Sequence, residues 1–296
     1  MAKKSKGKIS FQGMPGAYSH LACREVHPEL EPLPCVNFED ALAAVKTGRA
    51  DLGMIPVENS IAGRVADIHH LLPGSGLHIV GEHYQPVRHQ LLGVKGAKKR
   101  ALTHVHSHVH ALAQCRKAIA RLGLKRVVAA DTAGSAQDIA KAGDSTQGAI
   151  ASPLAAEIYG LDILERDIAD AAENTTRFMI LSRQPKLPSA ENGPVVTTFI
   201  FRVRSVPAAL FKALGGFATN GVNVTKLESY MTDSRFTVAE FWADIEGHPD
   251  SRPVKLAMEE LQFFSTSFKL LGVYPAHAFR GNHPPEPPFP RHKRRR

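Results

Sequence analysis

The chain has 296 residues, 43% of them hydrophobic and 22% charged, a length and composition that suit two compact domains of ordinary globular protein. The formal charge of +9 sits at the ends, because residues 1–8 carry four lysines and residues 276–296 a net +5; a body that sums to zero argues against a nucleic-acid-binding surface. No apolar run approaches the roughly 18–20 residues of a membrane-spanning helix. The basic N-terminus lacks a secretory apolar core, and the three cysteines, Cys23, Cys35 and Cys115, form no CxxC pair, which argues against a disulfide frame or zinc site and for a cytoplasmic protein.

From Lys8 to about Arg183 a short apolar run, a small or polar loop and a helical stretch alternate. Ile9–Phe11 leads into GMPGAYSH and a helix over Ser19–Val26. Asp51–Ile55 leads into PVENS and a helix over Arg64–Leu72, whose His69–His70 pair is expected at the surface. Ala101–Val105 precedes HSHVH and Ala111–Leu122; Arg126–Ala130 precedes DTAGS and Ala136–Ala142; Gly148–Ala151 precedes Ser152 and Leu154–Tyr159. This alternation predicts α/β architecture with parallel sheets covered on both faces. In such sheets ligands bind at the carboxyl ends of strands, where helix N-termini offer free N–H groups. Ser, Thr, Asn and Gly in these loops either cap helices or, converging on one cleft, bind a small anion such as a carboxylate.

QPKLPSAENGP then reads as a linker. Beyond it lie a strand over Val195–Arg204, a helix starting at Ser205 and Pro207 and ending at Gly221, strands over Val222–Met231 and Arg235–Glu246 joined by Thr232–Asp233–Ser234, a helix over Pro253–Phe264 and a strand over Ser267–Tyr274. The order βαββαβ predicts a separate ferredoxin-like α+β domain. PPEPPFPRHKRRR closes the chain as a Pro-rich basic tail, expected to be disordered. The expected boundaries are 8–184, a linker over 185–194, a second domain over 195–275 and the tail over 276–296.

Two polar clusters could carry chemistry. Asn174–Thr175–Thr176–Arg177–Phe178 sets two hydroxyls beside a guanidinium, a donor set suited to a carboxylate and a departing oxygen; the alternative is a β-turn with a surface arginine. In Pro56–Val57–Glu58–Asn59–Ser60, Glu58 is a candidate acid or base and Asn59 and Ser60 candidates for substrate oxygens, unless they simply begin a helix. His104, His106, His108 and His110 alternate, but no acidic or Cys ligand completes a metal set, so no metal is expected. GxGxxG, GxxxxGK[ST] and GxSxG are absent, which gives a nucleotide, redox or Ser-nucleophile role no support.

FQGMPGAYSH, GRADLGMIPVENSIAG, HSHVHALAQC, GAIASPLAAEIYGL and NTTRFMIL, followed by VPAALFKALGGFATNGVNVTKLES and FWADIEGHPD, occur in family order over about residues 8–275. In these the chain resembles the short prephenate dehydratases, a catalytic domain followed by an ACT regulatory domain. The resemblance implies a two-lobed, periplasmic-binding-protein-like catalytic domain that converts prephenate to phenylpyruvate in phenylalanine biosynthesis, without cofactor. It implies that Thr176 hydrogen-bonds or protonates the departing hydroxyl, that Arg177 anchors a carboxylate, that Phe178 positions the substrate, and that Asn59, Ser60, Ser107, Ser135 and Thr175 line the cleft. It further implies inhibition by L-phenylalanine, bound near Ala208, Ala209, Leu210, Asn223, Leu227, Glu228 and Ser229 at an ACT dimer interface, in a homodimer or dimer of dimers. The family's SHPQAL, GAL and ESRP stand here as Ser107–Leu112, Ala208–Leu210 and Glu228–Met231. Arogenate dehydratase and a non-catalytic small-anion-binding protein are the alternative readings.

Overall fold

The computed structural model describes residues 6–191, 193–204, 206–232 and 239–282. The first lobe runs β1 (Lys8–Gln12), α1 (Tyr18–Val26), β2 (Glu31–Cys35), α2 (Phe38–Lys46), β3 (Leu52–Asn59), β4 (Gly63–Arg64), α3 (Ala66–Ser75) and β5 (His78–Pro86). The chain then crosses into β6 (Gln90–Gly93), β7 (His104–Ser107), α4 (Val109–Gln114), α5 (Arg116–Arg121), β8 (Lys125–Val128), α6 (Thr132–Ala142), β9 (Gln147–Ala151), α7 (Pro153–Tyr159) and β10 (Asp162–Glu165) of the second lobe. It returns to the first as β11 (Thr175–Ser182). The C-terminal domain is β12 (Val195–Val203), α8 (Ala209–Thr219), β13 (Val224–Met231), β14 (Ala239–Glu246), α9 (Arg252–Phe264) and β15 (Ser265–Pro275), the expected βαββαβ order.

The sheets are mixed rather than parallel. β1 pairs in parallel with β2 and β3, but β11 lies antiparallel between β3 and β5. A strand returning from another lobe enters from the opposite end, so no right-handed crossover constrains it to run parallel. In the second lobe β7 is parallel to β8 and β9, while β6 lies antiparallel between β9 and β10. The first lobe and C-terminal domain share one sheet, joined where β15 meets β5 at Gly272 and Ile79. A Cβ on Gly272 would lie 2.2 Å from the Ile79 carbonyl oxygen, so only glycine lets the two backbones approach here.

Several elements depart from the sequence expectation. Residues 56–59 of PVENS and 175–178 of NTTRF are strand, in β3 and β11, with Ser60 just after β3 and Asn174 just before β11. The helix expected over Ala111–Leu122 breaks at Cys115, where the 168–170 loop intrudes: the Asp170 N–H donates to the Gln114 carbonyl at 2.7 Å, and the Asp170 carboxylate accepts from the Lys117 N–H at 2.9 Å. β2, α2, β5, β6 and β10 are additional; Asn37 caps α2 by accepting from the Asp40 N–H at 2.7 Å. Order also extends beyond 275, since Ala278–Asn282 forms a 3₁₀ turn packed on the first lobe. Residue 192 of the expected linker, Ser205, the Asp233–Ser234 part of the expected turn, residues 235–238 of the strand expected over Arg235–Glu246 and the tail beyond 282 lie outside the described residues.

Candidate functional site

Alternation along β11 sorts its side chains onto two faces. Thr176 pairs directly with Asn59 of β3, and Arg177 with Glu58 of β3 and Tyr84 of β5. Phe178 and Ile180 pack with Ile9, Phe11 and Ala22 on the α1 side. Met179 and Leu181 pack on the other side with Trp242 and Tyr274 of the C-terminal domain. The Thr176–Asn59 pair faces the junction of the lobes; the Arg177–Glu58 pair faces the C-terminal domain.

On the junction face the hydrogen bonds fix one another's direction. The Asn59 side-chain carbonyl accepts from the Ile61 and Ala62 N–H groups at 3.0 and 2.8 Å. Its amide must therefore face Thr176, donating to Thr176 Oγ1 at 3.0 Å and to the Asn174 side-chain carbonyl at 2.7 Å. Asn174 donates to Gln114 Oε1 at 2.9 Å. Gln114 Oε1 also lies 3.0 Å from His89 Nε2, so that nitrogen carries the proton, and His89 Nδ1 accepts from the Tyr18 hydroxyl at 3.1 Å. Burial lowers the His89 pKa, which keeps the ring in this neutral form. Tyr18 comes from α1, His89 from the interlobe crossing and Gln114 from the second lobe, so the network spans both lobes. With Asn59 occupying an acceptor position, the Thr176 O–H is left to donate outward.

The lobes touch beside this network. Ser152 at the start of α7 donates to the Gly16 carbonyl at 2.5 Å, and Tyr159 donates to the Pro15 carbonyl at 2.8 Å. Gly16 has φ +91°, and a Cβ there would lie 2.8 Å from Ala155 Cα, so a side chain would wedge the lobes apart.

The other candidate residues are placed differently. Ser60 accepts from the Thr175 N–H at 3.0 Å, fastening the strand just before Thr176. Ser107 and Ser135 are buried, and their hydroxyls donate to the Ile150 and Asp131 carbonyls at 2.6 and 2.7 Å. As placed, neither has its proton free for a carboxylate. His104 and His106 engage Thr103 and Gln147, and His108 and His110 contact each other at the start of α4. No group of three or more His, Cys, Asp or Glu among the described residues is placed to hold a metal.

Arg177 and Glu58 need the larger correction. Arg177, expected to anchor a substrate carboxylate, has a side chain only 3% exposed and turned away from Thr176. Its Nε donates to Glu82 at 2.9 Å, Nη1 to Glu58 at 3.0 Å and Asp244 at 2.6 Å, and Nη2 to the Tyr274 hydroxyl at 3.1 Å. Burial alone would depress its pKa, but Asp244, Tyr274 and Glu82 outweigh that and raise it. Burial likewise pushes the Asp244 and Glu58 carboxyls up; Arg177 for the first, and Lys226 with Arg177 for the second, win and hold both below the usual range. Glu58 is ion-paired with Lys226 and Arg177, which favours its anion. His69 is buried rather than at the surface, packed on Trp242 with Nε2 2.8 Å from Glu228.

Among the described residues the expected regulatory positions are spread over two cavities. Ala208, Ala209 and Leu210 border a cavity of about 720 Å³ with Val203 and Phe241. Asn223 borders another and hydrogen-bonds Glu246, while Glu228 turns toward Lys226 and His69. Ala208 stands in the left-handed region with φ +59°, a conformation the family's glycine adopts without strain.

Two α/β lobes linked by two crossings, with a polar site at their junction, define a periplasmic-binding-protein-like unit, here fused to a βαββαβ domain. The prephenate dehydratase family model matches residues 9–186, and the chain belongs to that family. It is 52% identical over 272 residues, covering 92% of this chain and 97% of the relative, to a bifunctional N-acyl-homoserine lactone acylase/prephenate dehydratase of Komagataeibacter europaeus. It is 40% identical to an arogenate dehydratase/prephenate dehydratase of Arabidopsis thaliana, covering 92% of this chain and 72% of the relative. The crystal structure of an Arthrobacter aurescens prephenate dehydratase in complex with L-Phe superposes with a TM-score of 0.83 at 30% identity, covering 91% of this chain and 90% of that one.

Proposed function

We propose that the chain catalyses conversion of prephenate to phenylpyruvate, regulated by phenylalanine through its C-terminal domain. Ring aromatisation drives the reaction: the electrons of the breaking bond to the lost carboxylate enter the ring as the C–O bond breaks, and the hydroxyl departs as water. The enzyme has to hold the dianion and place a donor at the departing oxygen. The single observation that carries this reading is the Thr176 hydroxyl, held by Asn59 at 3.0 Å with its own hydrogen unspent at the lobe junction. A proton arriving from solvent through this hydroxyl leaves with the water, so the threonine is unchanged at the end of the cycle.

Regulation would use the Ala208–Leu210 cavity together with Asn223, Leu227, Glu228 and Ser229, completed by a second chain in a homodimer or dimer of dimers; the bound L-Phe of the A. aurescens relative supports that effector class. Arogenate, the amino-acid analogue of prephenate, is the rival substrate, motivated by the dual name of the A. thaliana relative. The K. europaeus relative motivates a second activity, acyl-homoserine lactone hydrolysis. One preparation assayed in parallel separates them: phenylpyruvate from prephenate is the expected product. Turnover of arogenate alone would move the assignment to arogenate dehydratase, and release of homoserine lactone would add the acylase activity. Inactivity on all three by folded protein would favour a binding role.

A further inference from the structure

The segment after β15 runs back over the first lobe as a strap. The His277 N–H donates to Glu82 Oε1 at 3.0 Å, and the Phe279 ring stacks on Tyr84 with centroids 4.6 Å apart. Arg280 grips Glu82 with both arms of its fork, Nε to Oε1 at 2.7 Å and Nη2 to Oε2 at 3.0 Å. Glu82, whose side chain is fully buried, also takes Arg177 on Oε2, with Nε at 2.9 Å and Nη2 at 2.8 Å. Both guanidiniums lie 5.9 Å from the centre of the Tyr84 ring. Two arginines, one from the strap and one from the strand bearing Thr176, thus meet at Glu82, and Arg280 also reaches Asp244 at 3.8 Å and donates to Thr225 Oγ1 at 3.2 Å.

From this sharing we infer that Arg280 is a positioning residue for the Thr176 hydroxyl, acting through Glu82 and Arg177. This rests on the activity proposed above. With Arg280 in place, Glu82 Oε1 is committed to the strap and only Oε2 meets Arg177. Nη1 of Arg177 is thereby left for Glu58 and Asp244, while Nη2 is shared between Glu82 Oε2 and the Tyr274 hydroxyl. Without Arg280, Glu82 keeps only the His277 N–H on Oε1 and has Arg177 as its one remaining guanidinium, so the buried carboxylate turns further toward Arg177, since the bidentate pair is the stronger geometry. That draws the Arg177 guanidinium off Asp244 and Glu58, and the β11 backbone follows at the residue adjoining Thr176. A displacement well under an ångström in a donor that acts only on the departing oxygen lowers kcat more than it raises KM.

The test compares Arg280→Met, Arg280→Lys, Glu82→Gln and the Arg280→Met/Glu82→Gln pair in the full chain. Two readouts are taken, prephenate kinetics and amide hydrogen exchange. Arg280→Met is expected to lower kcat about tenfold with KM within about twofold. Arg280→Lys, a charge without the fork, should recover part of it. The double variant should lose less than the product of the two single losses, because both changes act on the Glu82 contact. Exchange should quicken over residues 175–178 while β7 and β9 keep wild-type protection. Wild-type kcat in Arg280→Met, multiplicative losses in the double variant, or faster exchange spread evenly over both lobes would each overturn the inference. A wild type inactive on prephenate would defeat the proposed reaction instead, and the exchange pattern would still decide whether the strap sets β11.

Discussion

Replacing Arg177 with methionine separates a substrate anchor from an interdomain tie. The guanidinium contacts three carboxylates, two of them on fully buried side chains, Glu82 and Asp244. Methionine fills much of the same volume but leaves those charges uncompensated, which costs about 3–5 kcal/mol for a buried pair broken on one side. At about 2–4 °C per kcal/mol for a chain approaching this size, the melting temperature should fall by about 6 °C or more. Differential scanning calorimetry on both proteins measures this. Steady-state kinetics below the lowered transition then give KM: a tie predicts KM within a few-fold of wild type, a carboxylate anchor predicts a rise of tenfold or more. An Arg177→Met protein that melts with the wild type and shows the large KM rise would refute the assignment made from the geometry.

Asp244 and Glu58 have folded-state pKa values below their ordinary ones, so their contribution to stability is complete above about pH 4 and is lost as pH falls through the lower folded values. Denaturant melts should therefore show a steep stability loss in that acid range, and its absence would contradict the paired carboxylates. His89, buried in its neutral form between Tyr18 and Gln114, adds a milder loss as pH falls below about 6.5. Asn59→Asp replaces the donor to Thr176 with an anion facing the Asn174 carbonyl, and should lower kcat about a hundredfold or more, read by steady-state assay with circular dichroism unchanged. Ala208→Gly relieves the left-handed backbone at φ +59° and should raise unfolding free energy by about 0.5–1 kcal/mol, read in urea.

Much of the fold was legible because its cues are local. Alternation of apolar runs with capped helices located most α/β elements, and the βαββαβ order follows from periodicity and breakers in the C-terminal part. The antiparallel course of β11 was not, because nothing in its sequence records that it returns from another lobe. The site shows the same division. Thr176 and Asn59 are 117 positions apart, and only strand register makes them partners. The opposition of Arg177 to Thr176 was within reach: a period of two along NTTRFMIL places them on opposite faces, but weighing the cluster as a donor set or a β-turn concealed it. Asn174 and Gln114 lay inside motifs already quoted, yet no local pattern marks an amide as a bridge between lobes. Glu82, Asp244 and Arg280 join only through the interdomain contact, and Arg280 stood in a stretch whose composition read as tail.

The most direct measurement is phenylpyruvate formation from prephenate by wild-type protein and by Thr176→Val, which keeps the shape and deletes the hydroxyl. Circular dichroism and melting temperature are recorded on both. The expected result is an active wild type and a variant of wild-type fold whose kcat falls by about 10²–10⁴, the range of a lost proton donor. A folded Thr176→Val that turns prephenate over at the wild-type rate would contradict the role given to this hydroxyl.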